Sequence, residues 1–380
     1  MTRKPGGKPY EASFQDDALL TPDEVSELTE AEDSAAPVSY MGSDFDVEGL
    51  VRRLGRDDIV IPSFGHNDAT IEVAGFQRGF VWARNQMDRF IESLLLGYPI
   101  PGIMLVQQPN MKYLVLDGQQ RLRTLAAFYE GVYGGKEFAL RNVAEEFKGL
   151  TYKTLEPELR RQLDNTFIQA TIVRTDGTRG SREAIYQVFE RLNSGGTQLT
   201  PHEIRIALYA GPLIDYIDKL NKSTAWRQLY GSFSPRLRDQ ELVLRIIALF
   251  TKKTEFYRPL KKYLNDFAEE HRELKGLPTK KITKLFDRTA ELLLAAAGRE
   301  SVRYQSQQVN AALTEALFVA LMSRLETTAT EPAPEQIAEW ITTLTKNRRV
   351  IPAITRSTSS EENVRVRHRA AMRIFTSEEA

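Results

Sequence analysis

The 380-residue sequence contains no cysteine, which excludes disulfides and thiolate metal sites. Its four histidines, His66, His202, His271 and His368, are dispersed, and none shows a metal-ligand spacing such as H-E-x-x-H or H-x-H. No apolar stretch approaches membrane-spanning length; "LLLAAAG" at 293–299 is far too short. The segment "MTRKPGGKPYEASFQDD" lacks the apolar core of a signal peptide, so a cytoplasmic location without membrane association is the default expectation. There is no G-x-x-x-x-G-K-[ST], no G-x-G-x-x-G after a strand and no G-x-S-x-G elbow. Those absences remove a P-loop, a Rossmann site and an α/β-hydrolase nucleophile.

What is present is long enough for two or three domains, and 42% hydrophobic residues can form ordinary cores. The formal net charge is zero, but the balance is uneven. Residues 1–48 hold twelve Asp/Glu and three Lys/Arg, leaving a net of +9 for residues 49–380. A mildly basic body with an acidic head is compatible with an anionic partner, with a self-masking tail, or with a merely solubilising one.

Residues 1–45 are acidic and poor in large apolar residues, so mostly disorder is expected there. One exception is "TPDEVSEL", where Thr21, Pro22 and Glu24 read as a capped helix start. From 46 to 180 the pattern is α+β. Strands are expected at 58–64, 70–76, 102–108, 112–116, near 136–140 and at 166–174, forming a small mixed sheet. The 102–108 and 112–116 runs suggest a hairpin. Met87, Phe90, Ile91, Leu94 and Leu95 make one face of a helix that Gly97 and Pro99 stop. From 181 to 380 the pattern is almost wholly helical, with helices expected in "SREAIYQVFERLN" (181–193) and "TPHEIRIALYAG" (200–211) and near 213–220, 238–252, 258–273, 279–298, 308–326, 334–346 and 361–375.

Three clusters carry candidate chemistry. In "LDGQQRLRTL" (116–125) a strand ends in Asp117, Gly118 allows close backbone approach, and a helix begins at Gln119 and Gln120. A helix N-terminus presents unpaired amides and partial positive charge, and Arg121 one turn in could fork onto a phosphate. Asp117 could hold a Mg²⁺ water, orient an attacking water, or only cap the helix; on residues alone the ligand and cap readings are evenly matched. In "GFQRGFVW" (75–82) Gln77 and Arg78 end a strand among aromatics, although core packing of those aromatics is the plainer alternative. In "VFERLNSGGTQLTPHEIR" (188–205) Asn193–Gly196 can be a helix C-cap, with Arg191, Asn193, Glu203 and Arg205 around the loop. The basic runs at 235–245 and 257–264 read as solvated helix faces more readily than as nucleic-acid contacts.

These clusters, in this order, resemble the N-terminal domain family of GmrSD-type modification-dependent restriction systems. The resemblance rests on "FQRGFVW", "GYPIPGIMLV", "YLVLDGQQRLRTL" and "VFERLNSGGTQLTPHEIR", and covers residues 46–270 most clearly. It implies a ParB/sulfiredoxin-like α+β domain followed by an all-α domain. The implied activity is nucleoside triphosphate binding and hydrolysis with Mg²⁺, linked to recognition of modified or foreign DNA. On that resemblance Asp117 and Arg121 are the catalytic candidates, with Asp117 the candidate Mg²⁺ ligand. Gln77, Arg78, Gly118, Gln119, Gln120, Arg121, Thr124, Arg191 and Asn193 are the nucleotide-binding candidates. Fused members carry a C-terminal HNH-type nuclease, whereas the tail here offers only His368. Cleavage by this chain alone is therefore not expected, and a separate nuclease subunit is the implied partner, with oligomer formation left open. The alternative is a non-hydrolysing DNA-binding or protein-adaptor module on the same scaffold.

Overall fold

The computed structural model describes residues 38–61, 82–108, 110–176, 178–192, 200–234, 236–252, 256–328 and 330–376. They divide into two units, one within Asp33–Leu199 and one within Thr200–Ala380. In the first, chain order runs β1 (Tyr40–Asp46), α1 (Val47–Gly55), β2 (Ile59–Val60), α2 (Arg84–Leu95), β3 (Ile103–Gln107), β4 (Tyr113–Asp117) and α3 (Gln119–Glu130). It continues with the two-residue β5 (Val132–Tyr133) and β6 (Lys136–Glu137), then α4 (Pro157–Asp164), β7 (Phe167–Arg174) and α5 (Arg179–Leu192).

The expected hairpin is present: β3 and β4 pair antiparallel, with an irregularity between Met104 and Leu105. The sheet is mixed, in the order β1-β7-β3-β4-β2, with β7 parallel to β3 and β2 parallel to β4. Two features differ from the sequence reading. The strand near 136–140 is the two-residue β6, which pairs only with β5 in a separate ribbon. The sheet instead gains β1, which begins at Tyr40 inside the acidic segment and pairs along its whole length with β7. Composition hides such a strand because it lies at an edge, where half its residues face water. The second strand reaches only Val60, and the expected strand at 70–76 lies outside the described residues.

The periodicity of α2 is borne out, since Met87, Phe90, Ile91, Leu94 and Leu95 are all buried. They meet Leu122, Leu125 and Phe128 of α3 and the strand residues Leu105, Val115 and Ile172 in one core. Burying such a side chain stabilises by about 1.5–3 kcal/mol, so the stripe fixes the helices on the sheet. Asp88 on α2 is also fully buried, accepting from Arg84 Nε (2.8 Å), Asn142 Nδ2 (2.7 Å) and Asn142 N (3.1 Å).

The second unit is helical: α6 (Pro201–Leu208), α7 (Pro212–Asn221), α8 (Thr224–Tyr230), α9 (Arg238–Lys252), α10 (Leu260–Glu270) and α11 (Thr279–Ala297). After these come α12 (Ala311–Thr327), α13 (Pro334–Lys346), α14 (Val350–Thr355) and α15 (Glu361–Thr376). Helix α12 is buried without interruption from Ala312 to Met322, the mark of a central helix. Trp226, Phe286 and Phe318 pack ring to ring in this core. Among the described residues no helix is long and apolar enough to cross a membrane.

The basic runs are corrected here. Arg236, Arg245 and Lys261 are buried rather than solvated. Arg236 lies 3.4 Å from Glu203, and Arg245 makes a 2.8 Å ion pair with Glu315 on α12. The partners come from distant segments, so the runs look unpaired when read locally.

Candidate functional site

The turn between β4 and α3 gathers the DGQQR motif at one end of the sheet. Gly118 adopts φ +95°, a left-handed conformation that favours glycine. A Cβ on it would also lie 2.5 Å from Ile103 Cγ2, so the position is closed to larger residues on two grounds. Gly102, just before β3, is equally confined: its Cβ would stand 2.7 Å from the Gln169 carbonyl oxygen of the strand segment beside it. These two glycines let three chain segments approach closely at the motif.

Arg121 ties them together. Its Nη2 donates to Asp117 Oδ2 (2.9 Å) and to the Gly102 carbonyl (2.9 Å), while its Nε is buried without a partner. Its side chain is 13% exposed, whereas that of Asp117 is 63% exposed, so the pair presents a carboxylate outward from an inward-anchored guanidinium. No side chain caps α3. The amides of its first turn therefore have no acceptor inside the helix, and they carry the positive end of the helix dipole. Gln119 and Gln120 are half-buried at this end. Gln120 Oε1 accepts from the Trp82 amide (3.3 Å), which ties the segment before α2 to the motif. The Trp82 ring packs edge-on to Phe90 at 5.6 Å, the plainer of its two sequence readings.

One carboxylate does not make a stand-alone metal site, and the described residues hold no group of three or more His, Cys, Asp or Glu placed for a metal. A single exposed carboxylate does suit a Mg²⁺ already held by nucleotide phosphates, which needs one or two protein oxygens.

Residues 61–210 match the family model of the GmrSD restriction endonuclease, N-terminal domain. Over this segment the chain is similar to that family. The matched segment spans less than half of the 380 residues. No curated protein and no solved structure matches the chain.

The other expected site residues of the GmrSD domain are placed unevenly. Gln77, Arg78 and Asn193 lie outside the described residues. Arg191 is exposed near the end of α5. Thr124 is fully buried, its hydroxyl donating to the Gln120 carbonyl (2.7 Å) within α3. Glu203 and Arg205 are buried in the helical unit. Glu203 forms a capping box with Thr200, and Arg205 Nε donates to Asn265 Oδ1 (2.8 Å). Arg205 Nη1 donates to His202 Nδ1 (3.2 Å), and burial together with this cation pushes the His202 pKa well down, so the imidazole is neutral.

Two residues escaped the sequence reading. Gly102 supplies the carbonyl that Arg121 holds; its signal was a glycine directly before a strand. Arg123 is half-buried two residues past Arg121, with a buried Nε that has no partner among the described residues, and burial lowers its pKa. Its signal was a second arginine set between leucines in "RLRTL".

Proposed function

We propose that the chain is a nucleotide-dependent sensor or regulatory subunit of a DNA restriction or antiphage system. It acts on modified or foreign DNA with a separate nuclease partner. The observation that carries this reading is the uncapped N-terminus of α3 behind left-handed Gly118, flanked by Arg121 and exposed Asp117, in a GmrSD segment. A triphosphate accepts hydrogen bonds from the first-turn amides and is favoured by the helix dipole. Asp117 would hold a Mg²⁺ accompanying the nucleotide, and that ion would supply charge neutralisation on the phosphates. Phosphoryl transfer needs positioning and electrostatics more than a covalent nucleophile, so these residue types suffice. A ParB/sulfiredoxin-like scaffold is part of the same proposal, supported by a mixed sheet whose strand-to-helix turn carries the motif.

The test is phosphate release from each nucleoside triphosphate with Mg²⁺ by the purified chain. Asp117→Ala and Arg121→Ala are expected to abolish turnover while circular dichroism and melting show a retained fold. Unchanged turnover in both variants overturns the assignment.

One observation favours a second reading. The Arg121 Nη2 already bonds Asp117 and Gly102, which suits a purely structural clamp in a non-hydrolysing DNA-binding or adaptor module. That reading predicts DNA binding that depends on salt and is indifferent to nucleotide.

A further inference from the structure

The last helices of the helical unit carry more cations than anions. From Lys346 to Arg373 the sequence holds eight lysines and arginines against two glutamates, in a chain of zero formal charge. Arg367 alone is buried, on Glu315. The other seven are exposed: Lys346 ending α13, Arg348 and Arg349 before α14, Arg356 before α15, and Arg365, Arg369 and Arg373 along α15. Their spacing of four puts the last three on one stripe with steps of about 6 Å. That stripe lies opposite the face formed by Val364, Arg367, Ala371 and Phe375, which is buried.

The three helices form one body. The Trp340 ring of α13 packs on Phe375 of α15 at 5.0 Å, and Asn363 Nδ2 donates to the Arg356 and Ser357 carbonyls. Among the described residues, the side chains of Lys346, Arg348, Arg349, Arg356 and Arg369 make no ion pair or hydrogen bond. Arg365 meets only Glu361, at 3.4 Å and in solvent, an exposed pair that exchanges readily. Some exposed cations elsewhere in the unit are paired. Arg288 is bound by Glu291 and Glu331, Lys281 by Glu326 and Lys252 by Glu270. Exposed cations left together repel one another, a cost that a polyanion relieves.

We propose that the turn 346–349 and the arginine stripe of α15 form a docking surface for the phosphate backbone of duplex DNA. Guanidinium groups fork onto phosphate oxygens, and such contacts position a protein on DNA without reading its sequence. The surface lies outside residues 61–210, so the family match does not assign it. The choice of DNA among polyanions rests on the restriction reading above.

The test is fluorescence anisotropy of a labelled mixed-sequence duplex with the full chain, without nucleotide, over ~50–200 mM salt. The wild-type chain is expected to bind with log affinity falling linearly in log salt. The variant Arg348→Gln/Arg349→Gln/Arg369→Gln should bind at least ten-fold more weakly at the lowest salt. It should also show a slope shallower by nearly 3, since each phosphate contact contributes ~0.9. Arg52→Gln/Lys136→Gln/Lys153→Gln, three exposed cations of the α/β unit, should leave both quantities unchanged. Absence of wild-type binding, an unchanged slope in the α15 variant, or an equal loss in the control overturns the surface. Nucleotide turnover is read separately. A wild-type chain that hydrolyses nothing yet shows the expected slopes removes the nucleotide reading and leaves the surface standing.

Discussion

The buried carboxylates of the helical unit and the motif carboxylate of the α/β unit are treated in opposite ways. In the helical unit, charges that look solvated in the sequence are drawn inside and matched. Glu315 sits between Arg245 and Arg367, and Glu203 beside Arg236, all buried or nearly so. In the α/β unit the motif charge is only half withdrawn: Arg121 is anchored and Asp117 stands in solvent. A buried pair exists for the fold, because removing either member strands the other in low dielectric. A carboxylate held at the rim by an anchored guanidinium contributes little to stability and can meet a ligand. Burial of the partner carboxylate, rather than the presence of the arginine, separates the two cases.

Substitutions can break or sharpen this contrast. The largest effect is expected for Glu315→Ala, about 3–5 kcal/mol lost in chemical denaturation, because two arginines lose their buried partner. Burial alone would raise the Glu315 carboxyl pKa, but Arg245 and Arg367 outweigh it and hold the group well below the ordinary carboxylate range. A pKa depressed in the folded state stabilises above the unfolded value and ceases to do so as pH falls through the folded one. Wild-type stability should thus decline in acid, and the Glu315→Gln variant should lose part of that decline.

Next comes Gly118→Ala, expected to cost about 2 kcal/mol, combining left-handed strain with the collision against Ile103. A melting temperature equal to wild type would show that the turn is looser than its geometry implies. Thr200→Ala should cost about 1 kcal/mol through loss of the bond from Glu203 N to Thr200 Oγ1. The smallest effect belongs to Asp117→Ala, below about 1 kcal/mol, since its ion pair is exposed on one side. A large destabilisation there would move Asp117 from the ligand-facing class into the structural one.

Much of this was legible locally. The strand, the glycine turn and the helix of DGQQR follow from neighbours within ten residues, as do the buried face of α2 and the capping box at Thr200. What escaped depends on distance along the chain. The strand Tyr40–Asp46, "YMGSDFD", has little strand character of its own and is defined by pairing with Phe167–Val173. The buried fates of Arg236 and Arg245 depend on Glu203 and Glu315, 33 and 70 residues away. Hydrophobic periodicity carries no information about which carboxylate will arrive. At the motif, the hold of Arg121 on the Gly102 carbonyl was equally hidden, because it crosses from a helix to the far end of a hairpin.

The strand order has a consequence for synthesis. The first strand finds its ladder only in β7, since Tyr40 lies opposite Val173. Translation at roughly 5–20 residues per second leaves that strand waiting several seconds or more outside the ribosome before its partner has emerged. Meanwhile the hairpin of β3 and β4, whose residues are close in sequence, can already close and place Gly118 at its end. The motif turn can thus be built before the sheet acquires its outer edge, and late arrival of β7 completes the unit rather than creating the site.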